Sequence, residues 1–472
     1  MTLAQFLQRF FADLNQHEIR WCVLRNYGGL PEHNGSDDID ILVDRTQFPL
    51  VLRLLASIPQ ILITDFVQHL HETSVFVGGL EEQGVHLDFT FEFGWKGQIY
   101  LEAHDVLRRS CPDLMWPSMR IPDRVDGVLN AVLNTFLSSG KVKAHYRAEA
   151  SQVLQANKDT AIARISKKLG GRLSAKLIGL FAAGEYEKAS LQLSAVRRAL
   201  RFREFSRNPL QAFTATCQYY SRELSNRLSG GKITKIATFG PDGVGKTTLI
   251  AHLERQLKCT AGTVMVLKFR PNITYKRTVP QPASGPVRPR SPIVDRMLSF
   301  VRPAVWCFEH WLYKVQQFSA SSELLIFDRY YHDALIAPSK YHCSVPAARL
   351  FAKLVSQADL WLLVDAPPKV IVSRKFRRDR GEKASATIDA DTQEIMLGEA
   401  LAYSTSCRSF LENQANVVLI DGSRDLNSQL ARAETAILST MAKKTASRLP
   451  FTGLRVESAE DATSFAGQEF SK

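Results

Sequence analysis

The chain has 472 residues, 45% apolar and 23% charged, which is the make-up of a soluble globular protein with two or three domains, and its formal net charge of +13 suits anionic partners without naming one. No apolar run reaches the roughly 18 residues of a membrane span, and the N-terminus lacks the apolar core of a signal peptide. The seven cysteines are scattered with no C-x-x-C pair, which argues against a zinc site or a disulfide framework, so a reduced, cytoplasmic protein is expected.

In chain order, "LAQFLQRFFADLN" has helical apolar spacing, and "IRWCVLRN", "DIDILVD", "TSVFVGGL" and "VHLDFTFEF" read as strands. Residues 1–125 therefore form an α+β domain. From 126 to 231 the pattern is helical, in "VDGVLNAVLNTFLSSG", "ASQVLQANKDTAIARISKKL" and "YEKASLQLSAVRRALRF", and predicts a helical connector. Residues 232–441 alternate strand and helix. The strands expected there are Ile233–Phe239, Val264–Phe269, Leu324–Phe327, Leu360–Val364 and Val417–Ile420, mostly continuous apolar runs of the kind that form parallel sheets covered on both faces. A basic, proline-rich stretch from Arg270 to Pro292 predicts a long loop, and 442–472 a disordered tail.

Three stretches of the last domain carry chemistry. Gly240-Pro-Asp-Gly-Val-Gly245-Lys246-Thr247 fits G-x-x-x-x-G-K-[ST] between an apolar strand and an amphipathic helix. Gly240, Asp242, Gly243, Val244, Gly245 and Thr248 belong to this cradle, whose backbone N–H groups would face phosphates. Lys246 should reach the β- and γ-phosphates, and Thr247 should ligate Mg²⁺. "LLIFDRYYHD" then brings Asp328 and Arg329 to the C-terminal end of a strand, where ligands of open α/β sheets bind. Asp328 suits a metal-bound water and Arg329 an acceptor anion. In "VDAPPKVIVSRKFRRDRGEK", Arg374, Arg377 and Arg378 share one helix face and could close over a transferring phosphoryl group. His332 reads as a structural histidine.

"GPDGVGKTT", "FDRYYHD" and "LLVDAPPKVIVSRK" resemble the phosphate loop, DR motif and lid region of the thymidylate kinase family over about 232–440, and more narrowly the thymidylate-kinase-like proteins found with bacterial surface-polysaccharide genes. The resemblance implies a P-loop nucleoside/nucleotide kinase fold with a five-stranded parallel sheet, and ATP with Mg²⁺ as donor. It implies ATP and metal binding by Gly245, Lys246 and Thr247, metal assistance by Asp328, acceptor-phosphate binding by Arg329, and lid roles for Arg374, Arg377 and Arg378. Asp242 could face an acceptor hydroxyl. The family's R-E-P-G-G acceptor segment survives only as Arg270 and Pro271 in "KFRPNIT". Donor and chemistry thus follow more directly than thymidylate as the acceptor. A nucleotide monophosphate or a related phosphorylated or sugar acceptor is the expected partner, a homodimer is compatible, and nucleic acid is not expected.

Upstream, "NGSDDIDILVDR" sets Asp38 and Asp40 two apart on a strand, hence on one face, and Asp88 in "GVHLDFTFEF" is a third candidate metal ligand. Three acids converging from neighbouring strands suit two-metal nucleotidyl transfer, and residues 1–125 resemble the polymerase-β-type nucleotidyltransferase superfamily. Two rivals therefore stand beside the kinase: a nucleotidyltransferase with a regulatory P-loop domain, and a non-catalytic nucleotide-binding assembly protein.

Overall fold

The apolar runs build two separate sheets in the computed structural model, which describes residues 1–34, 38–81, 84–228, 233–268, 292–317, 324–380 and 390–449. The described chain divides into two units, Met1–Leu228 with Arg448 and Leu449, and Ile233–Ser447. The expected loop from Arg270 to Pro292, except Pro292 itself, which opens a helix running to Gln317, and most of the expected tail lie outside the described residues, although the last helix runs on to Ala446 and buries Met441, Ala442 and Thr445. Among the described residues no helix is long and apolar enough to cross a membrane.

In the first unit, β1 (Trp21–Val23), β2 (Asp38–Val43), β3 (Leu62–Gln68), β4 (Glu72–Gly78) and β5 (Val85–Thr90) form a sheet in the order β1-β2-β5-β4-β3. Only β2 and β5 run parallel. Alternation sorts their side chains. Ile39, Ile41, Val43, Leu87 and Phe89 face a core shared with the helices Leu3–Gln16 and Phe48–Ser57. Asp38, Asp40 and Asp88 fall on the opposite face by the same period of two. The first helix is set by a capping box, in which Thr2 and Gln5 each bond the other's backbone N–H.

Two short hairpins follow, β6 (Phe93–Trp95) with β7 (Gln98–Leu101) and β8 (Cys111–Pro112) with β9 (Arg120–Ile121). The helices from Arg124 to Leu228 do not stand apart as a connector. Val125, Leu129, Leu133 and Phe136 share one core with Cys22 and Leu42 of the first sheet and with Phe93 and Leu101 of the hairpin. A boundary at residue 125 would cut through that core, which is why the first unit is longer than the sequence pattern implies.

In the second unit, β10 (Thr234–Phe239), β11 (Val264–Lys268), β12 (Leu324–Asp328), β13 (Leu360–Asp365) and β14 (Val417–Asp421) form an all-parallel sheet in the order β11-β12-β10-β13-β14. Each strand lies within a residue or two of its expected place. Register pairs Thr238 of β10 with Asp328 of β12, so the phosphate loop and the DR pair leave the sheet side by side. They leave from its C-terminal edge, where open α/β sheets place ligands.

Candidate active site

The loop from Gly240 to Gly245 closes tightly between β10 and the helix Lys246–Gln256. Gly240 has φ 143°, and a Cβ there would sit 2.1 Å from the Val364 carbonyl oxygen, so only glycine fits beside β13. Gly245 has φ 108° with open space around it, so there the backbone alone requires glycine. Val244 is buried beneath the turn, while Thr248 is exposed at the helix start.

Lys246 is 6% exposed, and its Nζ donates to the carbonyls of Gly240 and Pro241, both at 2.6 Å. Burial, helped by the Arg329 charge, pulls its amine down to about 8. Beside it, the Thr247 hydroxyl and the Asp328 carboxylate accept and donate no hydrogen bond among the described residues. A hydroxyl and a carboxylate left free next to a phosphate loop form a donor set that fits Mg²⁺.

Arg329 follows β12 in a left-handed conformation, φ 68°, uncommon for a residue with a Cβ. Its side chain is anchored on the buried Asp333, 2.7 Å away, and on the Tyr403 hydroxyl at 2.9 Å, with the guanidinium over the Tyr403 ring. It also donates to Asp242, whose other carboxylate oxygen takes the Lys340 Nζ at 2.7 Å. Burial opposes the Asp242 charge, but Arg329 and Lys340 hold its carboxyl well below the usual carboxylate range. Tyr341 and Tyr403 both donate to Asp333.

The three lid candidates separate. Arg374 turns inward and donates to the carbonyls of Val244, at 3.2 Å, and Gly422, at 2.7 Å, tying the phosphate loop to the turn after β14. Arg377 and Arg378 are exposed, and Arg270 lies outside the described residues. His332 is buried among Tyr330, Trp361 and Phe410, and burial pulls it down to about 4, as suits a neutral core residue. Sequence reasoning missed Asp333, Lys340, Tyr341 and Tyr403. Asp333 carried a signal, four residues after Arg329 on the same turn, but Tyr403 lies 74 residues away.

In the first unit, Asp40 and Asp88 are register partners on β2 and β5. Asp38, Asp40 and Asp88 each offer an oxygen within 4.8 Å of the others. Arg25 takes both oxygens of Asp40, at 2.5 and 2.7 Å, and burial still raises the Asp40 carboxyl. Asp88 accepts from Ser74 at 2.5 Å and lies 2.9 Å from His86 Nε2. Three carboxylates this close fit a divalent ion, provided Arg25 releases one oxygen of Asp40. A cavity of about 530 Å³ opens beside Asp40 and Asp88.

No family model matches the chain, and no curated protein matches it. Among solved structures, deoxyadenosine kinase from M. mycoides with bound dATP is 15% identical over 43% of this chain and 98% of its own, with a TM-score of 0.26. The same kinase with bound dCTP is 14% identical over 44% and 100%, with a TM-score of 0.25. The strand order and the phosphate loop, rather than these likenesses, carry the reading of the second unit as a parallel α/β fold with a phosphate loop.

Proposed function

We propose that the second unit is a thymidylate-kinase-like phosphotransferase that moves the γ-phosphoryl group of ATP to a nucleotide monophosphate or a related phosphorylated or sugar acceptor. The observation that carries this is one C-terminal sheet edge holding both a complete phosphate loop and a fixed arginine. The loop N–H groups and Lys246 bind and orient the donor phosphates. Arg329, held by Asp333 and Tyr403, orients the acceptor. The acceptor oxygen forms the new P–O bond while the bond from the γ-phosphorus to the β–γ bridging oxygen breaks, and the electron pair leaves with ADP. Thr247 and Asp328 would hold Mg²⁺, which neutralises charge on the phosphates when bound. Arg374 supports the loop from behind, and Arg377 and Arg378 remain the candidates to cover it.

Arg329→Ala is expected to raise the acceptor KM at least tenfold and to leave ATP affinity within about threefold, because the donor contacts lie on the loop. Steady-state kinetics with each substrate varied in turn separates the two. A collapse of ATP binding with acceptor use intact would refute the role given to Arg329.

The lowered Lys246 amine gives a pH signature. It is charged below about 8 and neutral above, and donor phosphates favour the charged form. ATP affinity should therefore be insensitive to this group below that pH and weaken by up to about tenfold per unit above it. Calorimetric titrations across that range check the slope, and Lys246→Ala should abolish it.

The convergence of Asp38, Asp40 and Asp88 favours a second reading, a divalent-cation site of nucleotidyltransferase type in the first unit. Mn²⁺ should then raise the melting temperature of the full chain by mass action, and Asp38→Asn with Asp40→Asn should remove the effect while ATP binding persists. A wild-type melting point indifferent to Mn²⁺ would leave this unit a structural or binding module.

A further inference from the structure

The helix Pro292–Gln317, between β11 and β12 in the chain, has two apolar faces where a surface helix of a globular domain has one. Its inward face seats Trp306 against Tyr341 in the core of the second unit, with Pro303 and Glu309 buried on the same side. Its outward face carries Ile293, Met297, Phe300, Val301, Phe308 and Trp311, each between 50% and 72% exposed. Helical geometry places these six within an arc of about 100° along about five turns. Phe308 and Trp311 stack on each other at that surface, with ring centroids 6.2 Å apart and planes 22° from parallel.

The exposed charges described beside this face are positive. Arg296 is exposed at its flank. The helix Val345–Ala352, which packs against Pro292–Gln317, exposes Arg349 and Leu350, and Lys353 and Leu354 are exposed just after it. Glu309, the one carboxylate among the described side chains of the two helices, is buried. In sequence, the stretch from Lys268 to Val294 that leads into the first turn has six lysines and arginines and no aspartate or glutamate.

We infer that this face docks the protein on an anionic lipid surface, the helix lying in the headgroup plane with its apolar stripe toward the acyl chains and the basic residues toward lipid phosphates. A continuous apolar face of this length marks a contact with a partner. A second copy of this chain would cover the apolar side chains, but a symmetric contact brings the same cations back to a face where no described carboxylate is exposed to meet them. An anionic bilayer supplies both what the stripe lacks and what the cations lack. Apolar burial and headgroup attraction add in such a helix, so binding should need both. The docking is independent of the reaction proposed at the phosphate loop.

Cosedimentation of the full chain with vesicles tests it, comparing phosphatidylcholine alone with three parts phosphatidylcholine to one part phosphatidylglycerol. The mixed vesicles should bind at least tenfold more tightly at about 0.1 M salt, and the advantage should vanish at about 1 M, where the screening length falls from about 10 Å to about 3 Å. Phe300→Ser with Phe308→Ser should weaken binding to mixed vesicles at least tenfold, and Ile293→Ser with Trp311→Ser, on the same face, should act alike. All four side chains are exposed, so thermal melts of both variants should match wild type. No binding to mixed vesicles, binding that survives both pairs of substitutions, or equal binding to the two kinds of vesicle overturns the docking. Light scattering of the lipid-free chain separates the rival occupant. A dimer that either pair of substitutions converts to a monomer assigns the face to a second copy and overturns the lipid contact.

Discussion

Lys246→Ala is expected to lower ATP-dependent turnover at least a hundredfold, which corresponds to about 2.7 kcal/mol or more of lost transition-state stabilisation. The lysine is buried, and its amine lies across the loop at the Gly240 and Pro241 carbonyls. Those carbonyls hold the amine in this structure. With donor phosphates bound, the charge can follow the transferring group, whose negative charge spreads as the bond breaks. The loop itself is held independently, by the fit of Gly240 against β13 and by Arg374 on Val244. The variant should therefore keep its fold and lose its rate. Turnover at the wild-type level in a folded variant would remove the kinase assignment.

Asp333→Ala is expected to destabilise the second unit by about 3–5 kcal/mol, the usual cost of removing one partner from a buried charge pair. Asp333 is fully buried and accepts from Arg329, Tyr341 and Tyr403, so its loss takes an acceptor from one guanidinium and two hydroxyls at once. The melting transition of that unit should fall by roughly 10 °C, given 2–4 °C per kcal/mol for a unit of this size. Tyr403→Phe removes a single donor and should cost about 1 kcal/mol. Acceptor KM should rise in both variants, because Arg329 loses part of its support. An Asp333→Ala variant that melts with wild type would show that Arg329 is anchored elsewhere.

The strands of the second unit were legible because parallel strands buried on both faces leave continuous apolar runs, and their C-terminal ends were legible because Gly240 and Asp328 interrupt those runs. Strand alternation put Asp38 and Asp40 on one face, whereas Asp88 was a candidate from a separate apolar strand, and only the pairing of β2 with β5 sets it opposite Asp40. β3 escaped because Thr64 and Asp65 break its apolar pattern at a bulge, although both are buried. The shared core of the first unit escaped because helical periodicity shows that a face is buried and says nothing of its partner. Arg374 shares a helix face with Arg377 and Arg378, yet its reach to two backbone carbonyls depends on how closely that helix packs on the loop. Lys340 and Tyr403 had no local signal, since only the tertiary fold brings them to Asp242 and Arg329.

The central claim is that the second unit transfers the γ-phosphoryl group. It is tested most directly by incubating the full chain with Mg²⁺ and ATP labelled in its γ-phosphate, together with a panel of nucleoside monophosphates and sugar phosphates, and following the label. Label appearing in an acceptor, lost in Lys246→Ala and retained in Asp38→Asn with Asp40→Asn, is the predicted result. Pyrophosphate release with no labelled acceptor, persisting in Lys246→Ala, would contradict it and place the chemistry in the first unit.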